Sequence, residues 1–149
     1  YWHDYVGFNF RMTNLQAAVG VAQFEKINVF IKNKIDIAKE YNRNLKNFKK
    51  ILLPFEEQWA THSYWLYNII IKNIKKNNRD KIIEKLNDVG IEVRPSFYPA
   101  SDMKIYKKYS AIKQKYSKIS YSGISLPSFM GLESSQIKYI CNQLKKLIK

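Results

Sequence analysis

The run from Thr13 to Phe48 constrains this chain more than any other stretch, because one helical period persists across almost a quarter of the sequence. Thr13 and Gln16 have the spacing of a capping box, in which the hydroxyl takes an orphan amide of the first turn and the glutamine reaches back to the cap. Leu15, Ala18, Val19 and Ala22 then recur at helical spacing, and the pattern continues through Phe24, Ile27, Ile31, Ile35 and Ala38 to Tyr41, Leu45 and Phe48. One long helix, or two nearly collinear ones kinked near Asn28, is predicted over about 13 to 48. Ala17, Ala18, Gly20 and Ala22 keep much of its first part small enough for another backbone to approach closely. Such a helix reads as a bridge between two domains, its start belonging to a larger one and its end to a smaller one. Pro54 closes the helical region, with 55–62 as a connecting loop.

Beyond it the elements alternate. Tyr64 to Ile71 is aromatic and β-branched without a helical period and predicts a strand. Asn77 or Asn78 is placed to cap a helix from Arg79 to about Val89, with Ile82, Ile83 and Leu86 on one face and Gly90 as its left-handed stop. Ile91 to Pro95 predicts a second strand, and Pro95 and Pro99 hold Ser96 to Tyr98 extended between them. A short helix begins at Ser101 or Asp102, and a Lys- and Tyr-rich segment runs to Ser122. Ile124 to Leu126, stopped by Pro127, predicts a third strand. From about Ser134, the spacing of Ile137, Ile140, Cys141, Leu144 and Leu147 predicts a closing helix. The expected fold is a two-layer α/β (α+β) unit, a short three-stranded sheet with helices on one face plus the long interdomain helix.

Composition narrows the function classes. A length of 149 residues with 46% hydrophobic residues suits one domain with a real core and argues against disorder. The chain opens without a charged-then-apolar leader and has no apolar run long enough to span a bilayer, so neither export nor a membrane partner is expected. A lone cysteine, Cys141, lies on an apolar helical face and reads as buried packing in a reducing cytoplasm. The formal charge of +14 raises nucleic-acid binding as a possibility. Residues 1–30 are charge-neutral, whereas 31–50 and 95–132 each carry an excess of five, so no single stripe forms. Only four of the 26 basic residues are Arg, the better tool for phosphate and base edges, and no nucleic-acid partner is expected.

The chemistry-bearing residues lie before the long helix and in the middle loop. Asn9 and Arg11 stand among aromatics and glycine immediately ahead of an apolar helix, where a merely structural sequence has little use for them. An amide NH2 is a neutral donor suited to a phosphate, and a guanidinium suits a carboxylate. The plainer alternatives are that Asn9 caps a turn beside Gly7 and that Arg11 forms an ion pair across an interface. His3 and Asp4 read as fixing the local loop. Arg94, Phe97 and Tyr98 sit in RPSFYP, where Arg94 is otherwise a strand-end surface charge, while Trp65 and Tyr67 read as core. Every lysine reads as solvated charge, and no metal-ligand set is assigned.

The wording HDxxGFNFRMTNLQAAVGxAQ, followed by SYWLYNIII, RPSFYP and SLPSFMGLESSQI in order, resembles the DegT/DnrJ/StrS family of sugar aminotransferases over nearly the whole chain. That resemblance implies pyridoxal 5'-phosphate as cofactor and the carboxyl-terminal small domain of a fold-type I transferase. It assigns 1–25 to the tail end of a large cofactor-binding domain and 26–149 to the small domain. Asn9 would meet the cofactor phosphate of a neighbouring subunit. Arg11, Arg94, Phe97 and Tyr98 would face the amino-acid donor and the nucleotide-linked keto sugar. Many relatives carry a His shortly after the RPSFYP proline, where Ala100 and Ser101 stand here. The implied assembly is a homodimer with shared active sites. The lysine that would carry the cofactor is not recognisable in these residues, so the chain is expected to be inactive alone and to be part of a longer protein. Alternatives are a dehydratase of the same family using the pyridoxal or pyridoxamine cofactor, and a noncatalytic fragment that dimerises through the small-residue helix or is a cationic binder of nucleic acid or anionic membrane.

Overall fold

The computed structural model of the chain describes residues 2–109 and 117–148. Tyr1, Lys149 and part of the Lys- and Tyr-rich segment, 110–116, lie outside them. The predicted long helix is two: α1, Asn14–Phe24, and α2, Ile27–Leu45, with the break at Glu25 and Lys26. Thereafter come β1 (Ile51–Leu52), β2 (Tyr67–Ile71), α3 (Lys76–Asp88), β3 (Arg94–Pro95), β4 (Gly123–Leu126) and α4 (Ser134–Leu147). Three short 3₁₀ turns, Ala100–Asp102, Lys104–Tyr109 and Ser117–Ser122, connect β3 to β4.

The sheet is antiparallel throughout, in the order β1-β2-β4-β3. Its registers pair Ile51 with Ile71, Ile69 with Ile124, and Arg94 with Ser125. The fold class expected from sequence holds, with β1 as an added edge strand. Two residues cannot show an alternation, so that edge is visible only through its partner. Tyr67, Ile69 and Ile71 alternate inward along β2 and meet Ile37, Ala38, Tyr41 and Leu45 of α2 and Ile137, Ile140, Cys141 and Leu144 of α4 in one core cluster. Each fully buried side chain of this size removes about 1.5–3 kcal/mol of apolar exposure. Two phenols are anchored within the core: Tyr67 donates to Asn42 Oδ1 at 2.6 Å and Tyr41 to the Pro127 carbonyl at 2.8 Å, with the rings stacked 4.5 Å apart. Burial holds both hydroxyls far above their ordinary pKa and pushes the Cys141 thiol up to about 11, so the cysteine is packing, as expected.

The ends of α3 differ from one another. Its start falls at Lys76, ahead of Asn77 and Asn78, with Lys75 as a cap that uses no side chain. Arg79 thereby reaches a fully buried site, donating to Asp80 Oδ1 and to the Gly123 carbonyl, each at 2.7 Å. At the other end Gly90 takes φ 79°. Its amide bonds to Asn87 and that of Ile91 to Leu86, the double closure of a Schellman stop. Gly123 is required for a different reason: a Cβ there would lie 2.1 Å from Ser96 Oγ.

The amino-terminal part stands apart from this core. Residues 2–29 are exposed throughout, and α1 buries none of its side chains. No helix among the described residues is long and apolar enough to cross a membrane.

Candidate functional site

The turn before α1 is built by short polar contacts. Asn9 Oδ1 accepts the Arg11 amide at 3.0 Å, and Arg11 takes φ 70°, a left-handed backbone that a long side chain adopts at a cost. Thr13 then caps α1 in the predicted capping box: the Gln16 amide donates to Thr13 Oγ1 at 3.3 Å, and the Thr13 amide to Gln16 Oε1 at 2.8 Å. The turn-capping role first weighed for Asn9 is therefore real, yet it uses only the carbonyl half of the amide. The NH2 has no hydrogen-bond partner among the described residues. Arg11 makes no ion pair among the described residues. Asn9, Arg11, Met12 and Gln16 line an open hollow of about 640 Å³ at the helix start, where unsatisfied amides favour an anion. Asp4 accepts from Trp2 Nε1 at 3.3 Å and so fixes the local loop, in line with its expected role.

The RPSFYP loop forms a second polar and aromatic corner. Arg94 on β3 is exposed and donates through Nη2 to Glu92 Oε1 at 2.7 Å, the surface pairing its plainer reading describes. Phe97 stacks on Trp65 with centroids 6.2 Å apart. Trp65 is 68% exposed, which corrects its expected place in the core, while Tyr67 beside it is fully buried. The correction follows from position: Trp65 precedes the paired part of β2. Tyr98 meets Trp2 edge-on at 6.2 Å and Tyr121 at 5.4 Å, and Lys76 Nζ lies 5.8 Å from its ring centre. Tyr98 thus ties this loop to the start of the chain, whereas Asn9 and Arg11 line one hollow and Arg94 another. Burial first, and then the 2.8 Å bond to Asp102, raise the pKa of Tyr121.

Lys34 is the residue that sequence reasoning missed. Its ammonium donates to the Trp65 carbonyl at 3.3 Å and to the Ser128 carbonyl, and burial lowers its pKa, so it is not the solvated charge expected of every lysine. The signal was present: Lys34 precedes Ile37 and Ala38 by three and four residues and shares their buried face. With Trp65, Arg94 and Tyr139 it lines a cavity of about 750 Å³ beside the edge strand β3.

An antiparallel sheet under three helices, preceded by an exposed helical arm bearing an amide and a guanidinium, is an α/β fold shared with part of the fold-type I sugar aminotransferases of known structure. A model of the DegT/DnrJ/EryC1/StrS aminotransferase family matches residues 1–145, and the chain belongs to that family. It is 42% identical over 148 residues to the GDP-perosamine synthase of Vibrio cholerae, covering 97% of this chain and 40% of that protein. Identity to the GDP-perosamine synthase of Escherichia coli O157:H7 is 36% over 98% of this chain and 39% of that one. Helicobacter pylori PseC, an aminotransferase involved in the biosynthesis of pseudoaminic acid, shares the fold with a TM-score of 0.80 at 22% identity, over 97% of this chain and 39% of that chain. The chain spans about two fifths of the length of the relatives it matches.

Aminotransferases of this family depend on pyridoxal phosphate. The Asn9 amide suits the phosphate of that group and the Arg11 guanidinium suits a carboxylate, since both are exposed and Arg11 makes no ion pair among the described residues. Lys34 does not fit its aldehyde, because its ammonium is already committed to carbonyl oxygens.

Proposed function

We propose that this chain is the carboxyl-terminal portion of a sugar-nucleotide aminotransferase, moving an amino group from an amino acid such as glutamate to a nucleotide-linked keto sugar. Residues 1–25 then belong with the large domain, and 26–149 form the small domain. Two copies pair so that Asn9 and Arg11 enter the partner's pocket. One observation carries this reading: the arm presents an amide NH2 and a guanidinium with no partner among the described residues, from a turn held by the Asn9 carbonyl and the Thr13–Gln16 capping box. The exposed apolar side chains around them, Phe8, Phe10, Leu15 and Phe24 among them, support a surface that another segment covers.

Bound in such a pocket, pyridoxal phosphate supplies an electron sink for exchanging an amino group between two carbonyl carbons. This chain's residues hold and orient. The Asn9 NH2 donates to the phosphate, and its carbonyl, fixed by the Arg11 amide, keeps that direction. Arg11 offers a planar fork to the donor's carboxylate, a geometry that lysine lacks. Arg94, turned from Glu92, meets the acceptor's diphosphate, while Phe97 and Tyr98 form an apolar wall that limits water. The likeness to GDP-perosamine synthases supports a GDP-linked sugar as acceptor.

The test supplies the amino-terminal domain in trans and measures cofactor affinity by absorbance and amino transfer by product formation. Loss of a hydrogen bond to a charged phosphate, about 1.5–3 kcal/mol, is expected to weaken cofactor binding at least about tenfold in Asn9→Ala. Unchanged cofactor affinity in a complex that still forms would overturn the role of Asn9.

A further inference from the structure

We infer that the groove between the β1–β2 edge of the sheet and α3 binds a small, multiply phosphorylated anion. Lys49, Lys50, Lys72, Lys81 and Lys85 line this cavity of about 580 Å³, and lysine is the only titratable residue type in its walls among the described residues. Backbone pairing creates the cluster. Lys50 and Lys72 stand one step beyond the Ile51–Ile71 pair, joined by a 2.8 Å bond from the Lys72 amide to the Lys50 carbonyl. On the facing wall Lys81 and Lys85 lie one helical turn apart along α3. Like charges directly across a strand pair, or four apart on a helix, disfavour the folded state. Here two such pairs face one hollow, and none of the five cations has an ion-pair partner among the described residues.

The acids of α3 do not relieve them. Asp80 is held by Lys76 and Arg79, and neither Glu84 nor Asp88 lines the groove. Asn73, in a left-handed turn at φ 56°, and Asn78 add neutral polar groups over a floor that includes Ile71 and Ile82. The walls also narrow the ligand. Among the described residues no aromatic ring lines the groove to stack a base, and no arginine is there to read a base edge or grip a phosphate with two parallel bonds. Its volume falls within the range of small-ligand sites, and its concavity suits a compact anion that carries several charges close together. An oligophosphate meets these terms. None of Asn9, Arg11, Arg94, Phe97 or Tyr98 lines this groove, so the inference stands independently of the proposed transferase role.

The experiment titrates the full chain with sodium triphosphate by calorimetry, with sodium sulfate at matched ionic strength beside it. Lys50→Gln with Lys72→Gln, and separately Lys81→Gln with Lys85→Gln, are each expected to weaken triphosphate binding at least about tenfold. The exposed α4 lysines provide a charge-matched control, Lys138→Gln with Lys146→Gln, expected to change it less than about twofold. Equal weakening in the groove and control variants, or sulfate binding as tightly as triphosphate, overturns the site. Amine acetylation of the unaltered chain gives a second readout that requires no variant to fold. Triphosphate is expected to shield Lys50, Lys72, Lys81 and Lys85 relative to Lys138, and unchanged labelling of those four overturns the inference.

Discussion

Residues 2–29 and the described residues that follow are both rich in apolar side chains, yet only the second region buries them. On α2, Ile37, Ala38, Tyr41 and Leu45 share one face, and that face packs in the same core as β2 and α4. On α1 the apolar residues are interleaved with small ones around the whole circumference, and Leu15, Val19, Val21 and Phe24 all face solvent. The two helices are separated only by Glu25 and Lys26. Local structure is equally well specified in both, since α1 has the more complete cap. What differs is the supply of tertiary partners: helix formation is written locally, whereas burial needs a second surface.

Substitutions can break that contrast. The largest effect is expected within the core, where Tyr67→Ala removes a fully buried ring and its bond to Asn42 and costs about 3–5 kcal/mol in urea unfolding. Tyr67→Phe keeps the ring and is expected to cost about 1 kcal/mol. The same core carries an alkaline weakness. The buried Cys141 thiol ionises at about 11 against an ordinary 9.0, so its contribution to stability is full below pH 9 and is lost as pH rises toward 11. The raised phenols of Tyr41 and Tyr67 act in the same direction above their ordinary 10.0. Urea midpoints measured from pH 8 upward should therefore fall, with Cys141→Ala removing the earliest part of the decline.

A smaller loss is expected at the contact between β4 and the RPSFYP loop. Gly123→Ala places a methyl against Ser96 and should cost about 1–3 kcal/mol, and Ser96→Gly in the same chain should recover most of it. Removing the arm's cap with Thr13→Ala is expected to weaken α1 by about 1 kcal/mol, read as faster amide exchange over 14–24 with no change in global unfolding. Least of all, Leu15→Ser and Val19→Ser should leave the chain's stability within about 0.5 kcal/mol while lowering its tendency to associate. A loss as large as that of Tyr67→Ala would place α1 inside this chain's own core.

The same distinction governs what could be read from the residues. Periodicity located α2, α3 and α4, β-branched and aromatic content located β2, the run stopped by Pro127 located β4, and the Thr13–Gln16 spacing fixed the start of α1, because those signals lie within single segments. The β1 edge strand was not legible, since Ile51 and Leu52 become a strand only by pairing with Ile70 and Ile71. Strand β3 proved shorter than 91–95, although Ile91 and Val93 are buried. At the candidate site, Asn9 and Arg11 were singled out from their setting ahead of a capped helix, and the structure places both beside one hollow at the start of α1. The junction of Trp2 with Tyr98 was not, because no spacing in sequence links residues so far apart.

Hydrogen–deuterium exchange over residues 2–29, with and without the amino-terminal domain supplied in trans, tests most directly whether this arm completes a surface built by another segment. Amides of α1 should exchange rapidly in the chain alone and become protected in the complex, with Asn9 and Arg11 inside the protected stretch. Protection already present in the isolated chain, or none gained in a complex that forms, would contradict that account.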